Sequence, residues 1–235
     1  MDEAIYPTAQ DYACFNDFFT RSLKDGLRPL HDAGRSILCP ADGQVSRTGK
    51  IQRGRILQAK GREYTPAELL GSDELGNLFL EGDFATIYLS PKDYHRVHMP
   101  LSGTLRETHY RRGGLFSVNK ATAEGVSNLF ARNERMVNIF ETDHGLVAIV
   151  MVGAMIVAGI ETVWGGGRRD GPHPIDHSNS SLLLEAGDEM GRFYLGSTAI
   201  ILFQKNQISW RPDLAPGSAV KMGQALGTRR EPDKT

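Results

Sequence analysis

Residues 190–203 read MGRFYLGSTAIILF, a run of apolar residues that Gly196, Ser197 and Thr198 interrupt. The aromatic and β-branched residues on both sides of this triplet are typical of buried β-strands. Small residues inside such a run usually mark a turn, a bulge or a close approach between two backbones. The stretch therefore predicts a strand-rich fold, and it raises the question of what the Ser197 hydroxyl does there.

The strand pattern continues over most of the chain. From about residue 36 onward, short β-rich segments alternate with Gly, Pro and Asp-Gly turns. The uncharged segment at 145–160, GLVAIVMVGAMIVAGI, is shorter than the ~20 residues that a membrane-spanning helix needs. Because it is rich in Val and Ile, it predicts two buried strands with a break near Gly153.

Two regions carry helical patterns. Residues 11–25 have aromatic and leucine side chains at helical spacing, with Gly26 as a C-terminal cap. Residues 65–79 begin with Thr65 in the position of an N-cap. We therefore expect a single domain over residues 1–235 of the α+β class, predominantly β: a flattened double-sheet sandwich with an N-terminal helix and short helical insertions.

Composition and charge argue against several functions. A formal net charge of −1 over 235 residues gives no support for nucleic-acid binding through bulk electrostatics. The acidic N-terminus, MDEAIYPTAQDYACF, has neither the basic nor the apolar region of a signal peptide. Cys14 and Cys39 match no metal or redox spacing, so we expect inert thiols in a reducing cytoplasm, with a single disulfide as the alternative.

Asp42 and two histidines could carry chemistry. Asp42 lies in CPADGQV, where Asp-Gly after Pro is typical of a turn. His95 and His98 lie three residues apart in DYHRVHMP, and on a strand they point to opposite faces, which argues against a shared metal site. The two histidines either serve different steps of one mechanism or are structural.

Ser197 is the third candidate. The G-x-S-x-G elbow that carries the nucleophile of α/β-hydrolases is absent, which disfavours an ordinary serine hydrolase. Gly196 before it permits a close approach of the backbone. That geometry suits attack by the Ser197 hydroxyl on the peptide bond of its own chain.

Longer motifs point to one family. FFTRSLKDGLRP, CPADGQV, YLSPKDYHRVHMPLSGTL, LFARNER, VGAMIVAGIETVW and GDEMGRFYLGST occur in this order between residues 15 and 227. Together they resemble the bacterial phosphatidylserine decarboxylase family along nearly the whole chain. The resemblance implies a proenzyme whose self-cleavage site is the bond between Gly196 and Ser197.

The resemblance also implies the course of that chemistry. The Ser197 hydroxyl attacks the Gly196 carbonyl, and elimination and hydrolysis then leave a covalent pyruvoyl group at position 197, between a β fragment (1–196) and an α fragment (197–235). A serine hydroxyl needs a base for such an attack. His98 matches the family's base and Asp42 the carboxylate that orients it. His95 matches the histidine that supplies a proton to the α-carbon in the decarboxylation step.

A pyruvoyl group is an electron sink built from the chain itself, so the resemblance implies neither a metal nor pyridoxal phosphate. The implied reaction converts phosphatidylserine into phosphatidylethanolamine and carbon dioxide. The resemblance also implies a homodimer that attaches peripherally to the cytoplasmic side of the inner membrane. Because the chain starts just before the family's Phe-rich helix, without the amphipathic N-terminal region of other members, a soluble protein is the alternative.

Two other functions stay open at this point. A decarboxylase of the same family that acts on a soluble amino acid, such as tryptophan, would carry the same catalytic residues. A non-catalytic carrier domain would have no use for the Gly196–Ser197 junction. Residues 117–119 (SVN) and 131–135 (ARNER) either line the substrate site or form hydrogen-bonded turns, and residues 165–181 predict a loop.

Overall fold

A computed structural model describes residues 2–59, 61–154, 159–165, 175–176, 182–194 and 197–230. Strands dominate this part of the chain, and all pairings between its named strands are antiparallel. No helix within these ranges is long and apolar enough to cross a membrane. Cys14 is an exposed free thiol and Cys39 a buried one.

The strands of the described residues are short, most of them two to nine residues long. They are β1 (Ser36–Leu38), β2 (Gly43–Lys50), β3 (Ile56–Ala59), β4 (Arg62–Tyr64), β5 (Asp83–Leu89), β6 (Arg96–His98), β7 (Gly103–Arg111), β8 (Arg135–Thr142), β9 (Gly145–Gly153), β10 (Ile160–Thr162), β11 (Ile175–Asp176), β12 (Leu183–Leu184), β13 (Glu189–Phe193), β14 (Ser197–Phe203), β15 (Ile208–Trp210), β16 (Ala219–Val220) and β17 (Ala225–Arg229).

The helices are shorter than the sequence predicts. They are α1 (Phe15–Phe19), α2 (Pro66–Leu70), α3 (Asp73–Leu78), α4 (Lys120–Gly125) and α5 (Leu129–Arg132), with a 3-10 turn at Ala9–Asp11. The helix predicted over residues 11–25 is wrong in extent. After Thr20 the chain is extended, because Leu23 forms an antiparallel bridge with Ala4.

The helical region predicted at 65–79 is confirmed as the two helices α2 and α3. The Thr65 hydroxyl accepts a hydrogen bond from the Glu68 N–H at 3.0 Å, and the Glu68 carboxylate accepts one from the Thr65 N–H at 2.7 Å. This reciprocal cap satisfies backbone donors that a helix N-terminus otherwise leaves free. The Ser72 hydroxyl then caps α3 by accepting from Leu75 N–H at 3.2 Å.

One large sheet organises the molecule. Its strand order is β11-β7-β8-β9-β14-β5-β2-β16, with β12 also paired to β7. β14 lies between β9 and β5, and Ser197 at its start is opposite Gly153 on one side and Leu89 on the other. All residues of β14 are buried. Burial on both faces explains why its sequence is nearly continuous in apolar residues.

The two faces of the large sheet are covered by different layers. On one face, Ala199 and Ile201 belong to a core shared with two small sheets, β1-β17-β15 and β10-β13-β6. On the other face, Ile200 and Leu202 belong to a core shared with helices α2 to α5 and the β3–β4 hairpin. The predicted sandwich, predominantly β, is therefore confirmed, and the helices form a layer on the outer face of its large sheet.

The chain changes sheets just before Ser197. β13 belongs to a small sheet and ends at Phe193, whereas β14 begins in the large sheet at Ser197. The break predicted near Gly153 is confirmed, since β9 ends at that residue. Gly196 lies outside the described residues, as does most of the predicted loop at 165–181, in which Ile175–Asp176 forms β11.

Candidate active site

Ser197 combines burial with an unused hydroxyl. Its side chain is fully buried, and its Oγ has no hydrogen-bond partner in the described part of the chain. An unpaired buried polar group costs about 1–3 kcal/mol. Alternation along β14 directs this side chain toward the same face as Ala199, the face covered by the small sheet that contains His98. The fold thus keeps a serine hydroxyl free between two sheets.

Asp42 is held by three donors. It lies directly before β2, and only 1% of its surface is exposed. Arg28 donates from Nε to Oδ1 at 2.9 Å and from a terminal nitrogen to Oδ2 at 2.5 Å. The Met222 N–H donates to Oδ1 at 2.9 Å and Lys221 Nζ to Oδ2 at 3.0 Å. Because Lys221 and Met222 follow Ser197 in the chain, Asp42 connects the segments on both sides of that serine.

The charge of Asp42 follows from these contacts. Burial acts to raise the pKa of the carboxyl, but hydrogen bonds from Arg28, the Met222 amide and Lys221 outweigh it and keep the pKa below its ordinary value. The carboxylate is therefore ionised at neutral pH. The next residue, Gly43, positions it: a Cβ there would lie 2.2 Å from the Tyr88 carbonyl oxygen, so glycine lets β2 begin this close to β5.

His98, at the end of β6, is buried and forms hydrogen bonds through both ring nitrogens. Its Nδ1 lies 2.8 Å from the Gly187 carbonyl oxygen and therefore carries the proton of that hydrogen bond. Nε2 is then the basic nitrogen, and the Tyr94 hydroxyl donates to it at 3.1 Å. Burial lowers the pKa of His98, with the Gly187 carbonyl opposing the shift. A neutral ring with a lone pair on Nε2 suits a general base at neutral pH.

His95 is buried against an aromatic ring. Its Nδ1 donates to the Asp93 carbonyl at 2.8 Å, whereas its Nε2 has no partner among the described residues. The imidazole packs on Phe19 with ring centroids 3.9 Å apart. Burial lowers the pKa of His95 to about 4, against the opposing effect of the Asp93 carbonyl. At neutral pH it therefore presents an unprotonated Nε2 that no other group in the described part of the chain contacts by a hydrogen bond.

The structure brings the Asp42 loop and β6 together through their backbones, since the His98 N–H donates to the Pro40 carbonyl at 2.8 Å. The described residues contain no hydrogen bond between the Asp42 carboxylate and the His98 ring, because each is bonded to other groups. After the larger effects of burial and Gly187, the Asp42 charge acts to raise the pKa of His98. The orientation of His98 by Asp42 stays a prediction.

The sequence did not single out Arg28, Tyr94 or Phe19 as site residues, and Glu134 entered only as a member of the segment 131–135 that either lines the substrate site or forms turns. The first three stand inside or next to the quoted motifs, but no local spacing rule connects them with Asp42, His98 or His95. Glu134 is only 5% exposed, and its Oε1 has no partner in the described part of the chain. A charged residue within LFARNER, directly before an apolar strand, was the available signal for it.

Two asparagines of the segments 117–119 and 131–135 have hydrogen-bonded side chains. The Asn133 amide donates to the carbonyls of Gly153 and Phe116 at 2.9 and 2.8 Å. The Asn119 side chain accepts from Thr122 N–H at 2.9 Å and caps α4. These bonds support a structural interpretation of the two residues, and whether they also line the substrate site stays a prediction.

Cavities give little help in locating the site. One cavity of about 680 Å³ between Leu30 and Val220 is lined by none of the predicted site residues. A smaller one of about 190 Å³ opens beside Asp42 and Tyr94, with Arg21 and Lys221 in its wall. Among the described residues, no cluster of three or more His, Cys, Asp or Glu side chains could hold a metal ion.

Comparison with known proteins decides the family. The family model described as phosphatidylserine decarboxylase matches residues 15–228. The chain belongs to the phosphatidylserine decarboxylase family. A phosphatidylserine decarboxylase proenzyme of Pseudomonas fluorescens is 56% identical over 97% of this chain and 81% of its own length. Proenzymes of the same description from Pseudomonas entomophila and Pseudomonas aeruginosa are 55% and 53% identical, over 96% and 98% of this chain and 81% and 82% of their own lengths.

Membership of the phosphatidylserine decarboxylase family confirms the resemblance drawn from the ordered motifs. It argues against the carrier domain and against a decarboxylase of a soluble amino acid, because these relatives are described as phosphatidylserine decarboxylases.

Proposed function

We propose that this chain converts phosphatidylserine into phosphatidylethanolamine and carbon dioxide with a pyruvoyl group made from its own Ser197. The observation that carries the proposal is the buried, unpartnered Ser197 hydroxyl at the point where the chain enters the large sheet. Its context is a family whose curated members are described as phosphatidylserine decarboxylase proenzymes.

The residues around position 197 fit a pyruvoyl group. The hydroxyl from which it would form is free of partners, and the residue opposite it on β9 is Gly153, which has no side chain to crowd it. When present, a pyruvoyl group supplies the carbonyl that takes up the electrons of the decarboxylated substrate. The proposal involves no metal and no diffusible cofactor.

Maturation starts with His98 and Ser197. Ser197 Oγ makes no hydrogen bond to His98 in the described structure, so His98 Nε2 first exchanges the Tyr94 hydroxyl for that of Ser197. It then removes the Ser197 hydroxyl proton, and Ser197 Oγ forms a bond to the carbonyl carbon of the preceding Gly196. The bond from that carbon to the Ser197 nitrogen breaks, and the nitrogen takes the proton back from His98, which leaves an ester. Loss of the α-proton of residue 197 to a base and departure of the Gly196 carboxylate then separate the fragments 1–196 and 197–235 and leave dehydroalanine at position 197. Addition of water and release of ammonia convert this residue into the pyruvoyl group. The negative charge of Asp42 favours the protonated form of the His98 ring, which exists between the first two proton transfers.

His95 is the proposed proton donor to the α-carbon during decarboxylation. Its Nε2 is buried and has no other partner among the described residues, so a proton held there meets no competing acceptor in them. Since burial lowers the pKa of His95 to about 4, its Nε2 is unprotonated at neutral pH and has to take up a proton in the complex before it delivers one. Once protonated, the ring is a stronger acid than a free imidazolium, which suits delivery of the proton to carbon.

We propose one catalytic domain over residues 1–235, which keeps its fragments together after cleavage. β14 of the smaller fragment pairs along its whole length with β5 and β9 of the larger one. β16 pairs with β2, and β17 pairs with β1. Lys221 and Met222 hold Asp42 across the same division. These contacts support a smaller fragment that is an internal part of the sheet.

A lipid substrate requires a surface that meets a membrane. Exposed or half-exposed aromatic residues form a patch beside the site: Tyr6, Tyr12, Phe15 and Phe18. Their rings contact one another at centroid distances of 5.4 to 6.3 Å, and Phe15 stacks on Phe19, which covers His95. The Arg21 guanidinium lies 5.3 Å from the Phe18 ring centroid. Aromatic rings with adjacent cations suit the interface of an anionic bilayer.

This patch supports peripheral attachment to a membrane, and the proposed place on the cytoplasmic side of the inner membrane follows from the resemblance alone. The double substitution Tyr6→Ser and Phe15→Ser should lower co-flotation with vesicles of phosphatidylserine and phosphatidylcholine while leaving self-cleavage intact. Unchanged co-flotation would place the membrane contact elsewhere. A homodimer follows from the resemblance alone, and light scattering of the purified protein tests it: a mass of about 26 kDa rather than about 52 kDa would contradict it.

The test of the function itself is denaturing intact-mass analysis of freshly purified protein, with Ser197→Ala as the control. We expect two fragments separated after Gly196, with the smaller one lighter than a peptide starting at Ser197 by the mass of one ammonia. The control should stay a single chain. A single unbroken chain for the wild type, with no release of carbon dioxide from phosphatidylserine vesicles, would overturn the proposal.

A further inference from the structure

Glu134 is a buried carboxylate that the mechanism above does not use. It is 5% exposed, and its Oε1 has no hydrogen-bond partner among the described residues. A buried carboxylate oxygen without a hydrogen-bond partner is unfavourable. Such groups are concentrated at functional sites, where a ligand supplies the missing partner.

Glu134 stands in one row with Ser197 across the large sheet. Ser197 is directly opposite Gly153 on β9, and the Gly153 N–H donates to the Glu134 carbonyl at 2.8 Å. Since neighbouring strands lie ~4.8 Å apart, the Cα atoms of Glu134 and Ser197 are about 10 Å apart. Gly153 is the only residue between them in this row.

The two side chains share a face of the sheet. Directly opposite residues of antiparallel strands point to the same side, and so do residues two apart along one strand. Met136, two residues after Glu134, belongs to the same core as Ala199, two residues after Ser197. A Cβ on Gly153 would enter the space between Glu134 and Ser197, with its nearest contacts at 3.4 Å from the Glu134 carbonyl oxygen and 3.8 Å from Ile160 Cδ1.

We propose that Glu134 binds the ammonium group of the serine headgroup and removes its proton. The inference rests on the proposed function, and it names the residue of that site that recognises the amine of the substrate. An N–H bond of the ammonium breaks, the proton passes to Glu134 Oε1, and the nitrogen keeps the electron pair. The substrate thereby meets position 197 as a free amine, the only form of the headgroup that is a nucleophile.

The test uses two small amines on the matured wild type and on Glu134→Gln. Ethanolamine is an ammonium ion at neutral pH, and its free amine forms an imine with the carbonyl of the small fragment. Cyanoborohydride reduces this imine, which makes the gain in mass permanent and measurable. Hydroxylamine is mostly uncharged at neutral pH and reacts with the same carbonyl without help from a carboxylate. We expect Glu134→Gln to lose about 10- to 100-fold in the ethanolamine rate, as for one charge-assisted hydrogen bond, and to keep its hydroxylamine rate within about twofold.

Three further variants sharpen this test. Glu141→Gln, at an exposed position of the same strand β8, should leave both rates unchanged. Glu134→Asp keeps the charge and should recover part of the ethanolamine rate. Gly153→Ala makes only ordinary contacts at 3.4 Å and 3.8 Å, yet it fills the space between the two residues and should slow ethanolamine more than hydroxylamine.

Each outcome has a defined meaning. An unchanged ethanolamine rate in Glu134→Gln, or equal losses with both probes, would overturn the role of Glu134 in binding the ammonium. Failure of Glu134→Gln to cleave while the wild type cleaves would move this residue to maturation and also overturn the inference. Failure of the wild type to cleave would overturn the proposed function itself, and the inference with it.

Discussion

The buried polar residues around Ser197 fall into two pairs that differ in how far they are satisfied. Asp42 accepts hydrogen bonds from three residues, and His98 uses both ring nitrogens; we call these two residues the clamped pair. Glu134 and His95 each keep an atom with no partner among the described residues; we call them the open pair. Hydrogen bonds fix the clamped pair in one geometry before any reaction. The open pair keeps acceptors free for a group that arrives later.

The largest effect is expected from breaking the clamp. Asp42→Asn removes the buried carboxylate that pairs with Arg28 and leaves this guanidinium only the half-exposed Glu3, and breaking a buried ion pair costs about 3–5 kcal/mol. Measured by urea unfolding in the Ser197→Ala background, the loss should be near the lower end, since Lys221 is half-exposed. In the wild-type background the same change should stop self-cleavage.

A matched carboxylate tests whether burial of the partner explains this loss. Asp83 is as buried as Asp42, but its partner Lys50 keeps 38% of its side chain exposed. Asp83→Asn should therefore cost about 1 kcal/mol and leave self-cleavage intact. Equal losses of unfolding free energy for the two variants would show that burial of the partner cation does not increase the cost of losing the carboxylate.

The two histidines separate maturation from catalysis. His98→Gln removes the base at Ser197 and should slow self-cleavage about 10²- to 10⁴-fold, the usual contribution of a general base. His95→Gln should cleave at close to the wild-type rate and then fail to release carbon dioxide. The fraction cleaved over time, by intact mass, and carbon dioxide release from phosphatidylserine vesicles distinguish the two. A cleavage defect of the same size in both variants would show that His95 also acts in maturation, and the distinction between the clamped and the open pair would fail.

The sequence alone could predict much of this site but not its polar contacts. Local rules located the strands around residues 145–160 and 190–203, because apolar runs with β-branched residues depend little on distant contacts. They overestimated the helix at residues 11–25, since the pairing of Leu23 with Ala4 is tertiary and prevails over helical spacing. Motif order supplied Asp42, His95, His98 and Ser197.

The contacts between distant segments were not predictable in this way. Asp42 meets Lys221 across 179 positions of sequence, and His98 meets Gly187 across 89. No periodicity connects such residues, because their proximity depends on which strands pair and on which sheet covers which face. The unpaired Oε1 of Glu134 could not be predicted either. Whether a buried oxygen has a partner among the described residues depends on which groups the fold brings near it.

The pH dependence of stability tests the open pair through His95. Its pKa of about 4 in the folded protein lies below the value of about 6.5 expected in the unfolded chain. The unfolded state therefore binds more protons below pH 6.5, so stability falls as the pH is lowered from 6.5 to 4, by up to about 3 kcal/mol. Above pH 6.5 this residue contributes no pH dependence.

His95→Gln should flatten that decline, measured as the urea midpoint at several pH values in the Ser197→Ala background. His144→Gln, at a half-exposed histidine in the turn between β8 and β9, is the control and should keep the wild-type slope. Burial lowers the pKa of His98 as well, so part of the decline should persist in His95→Gln. A slope unchanged by His95→Gln would mean that the ring is solvated, and His95 would no longer belong to the open pair.

The smallest effect is expected at the outer edge of the clamp. Glu3 also forms an ion pair with Arg28, but about half of its side chain is exposed, whereas the Arg28 side chain is 6% exposed. A hydrogen bond from Arg28 lowers the pKa of Glu3, so this carboxylate is ionised at neutral pH. Water compensates for an exposed partner, and Glu3→Gln should cost less than about 1 kcal/mol and leave self-cleavage unchanged. If Glu3→Gln slowed cleavage as much as Asp42→Asn does, the position of Arg28 would require both carboxylates. The exposed Glu3 would then belong to the same functional group as Asp42.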